Sequence, residues 1–132
     1  MIPLLLLTVL LQGPAPPKNN PNGTWQSLSG TQFQIKVSGS DMTVRLVPGS
    51  NPTYVQYEVN LKIAEKDANS YLGKGFFVAK KNDKECRFET EWDMIVVSNQ
   101  QIYGSSTNIE PDWETCSVKQ KLAPATLDLK KK

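Results

Sequence analysis

Carboxylates are the side chains of this 132-residue chain whose spacing best suits chemistry, and histidine is absent altogether. Glu89 and Glu91 stand two residues apart, about 7 Å between Cα atoms on a strand, a separation at which paired carboxylates perform acid/base work. Cys86, Phe88, Thr90 and Trp92 alternate with them, however, so the two glutamates take the face opposite the apolar one and are expected in solvent rather than in a catalytic cleft. Asn108, Glu110, Asp112 and Glu114 place an oxygen donor at every second position, the ligand type that calcium takes. The glycine of an EF-hand loop is missing and Pro111 interrupts the run, so a surface segment without metal is expected. The zero histidine count removes Ser-His-Asp and Cys-His catalysis, His-ligated zinc, haem on a proximal histidine and an imidazole pH switch. The chain reads as a non-enzyme without cofactor.

Cys86 and Cys116 are the two cysteines of the chain. An even count in a small exported domain favours a disulfide, and two thiolates without histidine do not complete a structural zinc site. A Cys86–Cys116 bridge closes a loop of about 30 residues, which chain entropy values at roughly 3.5 kcal/mol. The net charge of +2 is too small a bias to indicate nucleic acid. It hides an asymmetry: Glu85 to Cys116 carries seven carboxylates and one arginine, a net of −6, between flanks that are each +4. Glu89, Glu91, Asp93, Glu110, Asp112 and Glu114 therefore form a candidate acidic interaction face for a basic protein partner, set against a solvated strand face balanced by neighbouring lysines.

The elements that must position these residues are strands. Phe33, Ile35 and Val37, then Met42, Val44 and Leu46, alternate with polar residues around the turn Ser38-Gly39-Ser40-Asp41, which predicts a hairpin. Val55, Tyr57, Val59, Leu61 and Ile63 make the longest alternation. Tyr71 to Val78 follows the loop 65–69, and its Gly73 and Gly75 predict a bend or bulge that curls the sheet. Cys86 to Trp92, Met94 to Ser98 and Ile102 to Ser105 read as further strands, then an irregular acidic stretch leads to Cys116. Counting the short segment at Trp25, about eight strands are expected. No helical period runs beyond a turn or two, so the fold class is all-β: an antiparallel meander closed into a small barrel, or alternatively a sandwich.

At the N-terminus, Ile2–Leu11 is a ten-residue apolar run. As a helix it would span about 15 Å, half a bilayer core, which suits a secretory signal rather than a membrane span. Gly13-Pro14-Ala15 supplies the small-x-small cleavage pattern, although no basic residue precedes the run. Residues 1–15 are thus expected to be removed on export, leaving no transmembrane segment and a secreted or periplasmic location. Residues 16–22, rich in Pro and Asn, read as a disordered or polyproline-like linker, 23–121 as the folded domain and 122–132 as a basic tail in which Pro124 interrupts regular structure. Asn22-Gly23-Thr24 is a glycosylation sequon, meaningful where the source is eukaryotic.

Gly23-Thr24-Trp25, followed by Gly30-Thr31-Gln32-Phe33-Gln34-Ile35, resembles the first hairpin of the calycin superfamily, which includes lipocalins and avidins. The resemblance covers about fifteen residues. It implies an up-and-down barrel with Trp25 closing the floor and a mouth that holds an apolar or amphipathic molecule. The rest departs from the pattern. The lipocalin T-D-Y-x-x-Y motif is echoed only by Thr53-Tyr54 and Tyr57, neither Arg45 nor Arg87 is a clear counterpart of the family's late arginine, and the tryptophans that wall the avidin pocket are unmatched, so biotin is not the expected ligand.

The function expected from these readings is an exported lipocalin-like barrel that binds a small apolar or amphipathic ligand or serves a structural role, with Trp25, Phe33, Tyr57, Val59, Phe88 and Trp92 as candidate ligand-lining residues. Most of those aromatics are also what a domain of this size needs to build a core. The alternative is a protein-interaction module, such as an inhibitor of a basic secreted enzyme, acting through the acidic face.

Overall fold

The computed structural model describes residues 18–64 and 67–132. The predicted signal 1–15, the first two linker positions and Glu65-Lys66 lie outside the described residues. Eight strands follow one another: β1 (Gly23–Ser27), β2 (Gln32–Ser38), β3 (Asp41–Leu46), β4 (Tyr54–Ala64), β5 (Asp67–Lys81), β6 (Lys84–Ser98), β7 (Gln101–Asp112) and β8 (Ser117–Lys131). Each pairs antiparallel with the next, and β8 pairs with β1, closing an up-and-down barrel. Among the described residues no helix is long and apolar enough to cross a membrane.

The alternation read from the sequence sets the inside and the outside. Ile35, Met42, Val44, Val59, Leu61, Met94, Val96, Ile102 and Leu129 are all buried, and an eight-stranded barrel is just wide enough for such side chains to fill it. Burial alternates without a break from Cys86 to Val96, so the two strands predicted around Asp93 are one strand. Gly73 and Gly75 do not form a bulge, since the β4–β5 register is continuous from Gln56↔Val78 to Ile63↔Tyr71. A Cβ at either would collide with β4, at the carbonyl of Asn60 or of Glu58. The missing side chains let the two strands coil tightly against one another.

Three predicted boundaries are corrected. The acidic stretch is regular: Asn108–Asp112 belongs to β7 and pairs with β8, with register shifts at Ser106/Asn108 and Glu110/Pro111. Residues 122–132 are not a tail, because β8 runs to Lys131 and Leu129 is fully buried. Pro124 is tolerated because it sits in the first of those shifts, between Ala125 and Leu122, where the ladder asks for no N–H. Residues 18–22 are not a loose linker. Asn19 Nδ2 donates to the Val96 carbonyl at 2.9 Å, Asn19 N to Asn69 Oδ1 at 2.9 Å and Asn20 N to Asn99 Oδ1 at 2.8 Å. Trp25, fully buried, donates its Nε1 to the Pro21 carbonyl at 2.8 Å, and Lys131 Nζ lies 5.7 Å from the centre of its ring.

These contacts close one end of the barrel, the base, together with the turns at 39–40 and 99–100. Connections 28–31, 47–53, 82–83 and 113–116 gather at the other end, the mouth.

Candidate functional site

At the mouth the barrel wall opens. The β6–β7 pairing stops at Trp92↔Ser106, and β8 pairs with β1 only from Leu129 to Lys131. Beyond those points the β5–β6 and β7–β8 hairpins diverge as two arms. They are joined by the Cys86–Cys116 disulfide, whose Cα atoms are 5.1 Å apart, by Glu91 N donating to Thr107 Oγ1 at 3.0 Å, by Lys84 Nζ donating to the Glu114 carbonyl at 2.7 Å, and by an edge contact between Phe88 and Trp113. The predicted disulfide is therefore present, and it stitches the arms together at their ends.

The divergence leaves a cleft of about 410 Å³. Its floor is three aromatic rings in mutual edge contact: Phe33 from β2, Tyr57 from β4 and Trp92 from β6, with centres 5.4 to 5.7 Å apart. The inward alternation of each strand delivers them, and Trp92 Nε1 donates to Tyr57 Oη at 3.0 Å, fixing the rings to one another. Thr90 Oγ1 lies 3.4 Å from the same hydroxyl. Burial pushes the Tyr57 phenol above its ordinary range, with the bonds to Thr90 and Trp92 opposing. Burial raises Tyr54 as well, so both phenols at the cleft are neutral at neutral pH.

The rim is uncharged. The β1–β2 turn places Ser27 Oγ 2.9 Å from Ser29 Oγ and Ser29 Oγ 3.3 Å from Thr31 Oγ1, while Asn51 Nδ2 donates to Thr31 Oγ1 at 2.8 Å. Asn51 Oδ1 accepts from the backbone N–H of Thr53 and Tyr54, which holds the β3–β4 loop in place. Ser106, Ala125, Thr126 and Leu127 form the opposite wall. No residue lining the cleft carries a formal charge. The arrangement offers an apolar floor of largely buried rings below and neutral hydrogen-bonding groups above, and no nucleophile beside a base.

Of the six candidate ligand residues, the structure brings Phe33, Tyr57 and Trp92 together in the cleft. Trp25 is at the base, Val59 is in the packed interior, and Phe88 lies between Phe77 and Trp113 under the arms. The hydroxyl rim was not singled out from the sequence, where Thr31 figures only within the Gly30–Ile35 segment of the calycin resemblance. The acidic residues fall into two groups on either side of the divergence. Glu89, Glu91 and Asp93 are exposed on the outer face of β6, with Glu91 paired to Lys74 at 3.3 Å, and Glu110 on β7 is paired to Lys119 at 3.7 Å. Asp112 Oδ1 accepts from the N–H groups of Glu114 and Thr115, turning the chain into β8. Lysines are thus interleaved with the carboxylates. Among the described residues no group of three acidic or thiol side chains is placed to hold a metal ion. Compared with protein-family models, with curated proteins and with solved structures, the chain matches none.

Proposed function

We propose that the chain is an exported, calycin-like binding module that holds a small, neutral, amphipathic molecule at the barrel mouth. The observation that carries the reading is the cleft itself: a three-ring floor beneath a rim of hydroxyl and amide groups with no charge among them. Pockets of this size with apolar walls and a few convergent polar groups are where small ligands bind. The apolar body of the ligand lies on Phe33, Tyr57 and Trp92, and its polar group meets the Ser27–Ser29–Thr31–Asn51 network. A charged head group is disfavoured, because nothing in the lining would compensate for its lost hydration. The apolar Ile2–Leu11 run supports export. The G-T-W opening supports the calycin likeness, as does a lysine over Trp25 where that family places a late arginine.

The test is a fluorescence titration on the mature chain, using Trp92 as reporter, with decanol, octyl glucoside, decanoate and decylamine as probes. Saturable change with the two neutral probes, at least tenfold weaker for the two charged ones and lost in Ser106→Trp, is the expected result. No saturable response from a chain that retains its near-UV circular dichroism overturns the reading.

A further inference from the structure

We infer that Asn22 is an acceptor for N-linked oligosaccharide when the chain passes through a eukaryotic secretory route, and that the glycan is carried at the base of the folded barrel. The sequon Asn22-Gly23-Thr24 is one of the few places where a bulky polar group attaches by sequence rule alone, and such groups require a solvent-facing site. The structure provides one. Asn22 is exposed in the last position before β1, and Gly23 beside it has φ +134°, a backbone conformation that residues with side chains rarely adopt.

The decisive geometry is the use each amide atom makes of its bonds. Asn22 Oδ1 accepts from Val37 N at 2.8 Å, and Nδ2 donates to Asn20 Oδ1 at 2.8 Å. Glycosyl transfer forms a bond between Nδ2 and the anomeric carbon of the donor sugar, breaks that carbon's bond to the lipid-linked diphosphate, and releases one amide proton. The product is a secondary amide. It keeps Oδ1 for Val37 and one N–H for Asn20, so the bonds that tie Asn22 to the base survive the modification.

Position matters equally. Five residues of extended chain separate Asn22 from Ser27 at the rim, roughly 17 Å, so the oligosaccharide projects from the end opposite the cleft. It would leave the mouth open while covering polar turns at the base. A disulfide between Cys86 and Cys116 forms in the same oxidising compartment in which sequons are read. The inference does not depend on what occupies the cleft.

The experiment is secretion of the full chain from a eukaryotic host, followed by intact mass measurement before and after peptide N-glycosidase. The wild type is expected to lose an oligosaccharide mass, with Asn22 converted to Asp. Thr24→Ser, which preserves a sequon, is expected to do the same. Thr24→Ala leaves the Asn22 amide and its two bonds in place, removes the hydroxyl that donates to Gln34 Oε1 together with the γ-methyl, and is expected to be secreted without glycan. A secreted, disulfide-bonded wild type of unmodified mass overturns the inference. A glycan that persists in Thr24→Ala also overturns it, because the attachment then lies elsewhere.

Discussion

The two ends of this barrel are built from different materials. At the base, Trp25, Ile102 and Leu129 are wholly buried, and the chain before β1 is laced across the opening by hydrogen bonds that Asn19 and Asn20 donate and Asn22 accepts, with partners fifteen to seventy-nine residues away. At the mouth, strand pairing gives out, the cleft is lined by aromatic rings, hydroxyls, one amide and two small or aliphatic side chains, and the arms are joined by a disulfide with a few side-chain contacts beside it. A barrel whose whole length is packed has no room for a ligand. One that is open at both ends forfeits the burial that stabilises so small a domain. Concentrating closure at one end lets the other keep a cleft of about 410 Å³.

The sharpest way to break this contrast is to remove the plug. Trp25→Ala takes away a fully buried side chain together with the donor to Pro21, and large aromatic truncations in cores cost about 4 kcal/mol. Urea unfolding followed by circular dichroism is expected to show a loss of that order. Ser29→Ala at the rim, whose hydroxyl touches only Ser27 and Thr31, is expected to stay within about 0.5 kcal/mol of wild type. Comparable losses from the two would mean that the base is not the seat of stability.

The disulfide supplies the next test. Replacing Cys86 and Cys116 together by Ser frees a loop with a sequence separation of 30, for which chain entropy gives roughly 3.5 kcal/mol. Hydrogen exchange is the better readout, because it shows where the loss falls. Protection is expected to drop in Lys84–Glu91 and Thr107–Thr126, which lack a strand partner on one side. It is expected to persist at Leu129–Lys131, where β8 is held by both β7 and β1. A uniform loss of protection would show that the arms are not a separate unit.

What the sequence made legible follows from which interactions are local. Alternation from Phe33 to Ile63 and from Tyr71 to Val96 revealed the strands, because the period of two is written residue by residue. The cysteine pair was legible by count. The end of β8 was not: Thr126-Leu127-Asp128-Leu129 alternates, but Pro124 and the closing lysines masked it, and only the register shift opposite Ser106 shows why a proline is harmless there. The base clamp was illegible for another reason. Asn19 and Asn20 sit in a stretch whose composition says linker, and their partners Asn69, Val96 and Asn99 are brought near only by the completed fold. The cleft was half legible. Its floor came from inward-facing aromatics, and its rim from turn hydroxyls whose convergence no spacing announces.

The smallest effect probes the joint between the two ends. Tyr57→Phe keeps the ring and its contacts with Phe33, Phe77 and Trp92, but removes the hydroxyl that accepts from Trp92 Nε1. A buried donor left without an acceptor costs about 1.5 kcal/mol at pH 7. This effect carries a pH signature that the other two lack. Burial raises the Tyr57 phenol above its unfolded value of 10.0, so the folded state holds that proton more tightly than the unfolded chain does. The stability it confers is complete below pH 10 and is lost as the pH rises through the folded value, whereas the phenylalanine variant has no such group to titrate. Urea midpoints for the two proteins are therefore expected to differ by a constant amount up to about pH 9.5 and to converge above pH 10. A difference that stays flat to pH 11 would mean that Tyr57 is as well solvated as a free phenol, and that the aromatic floor of the cleft is open to water from below.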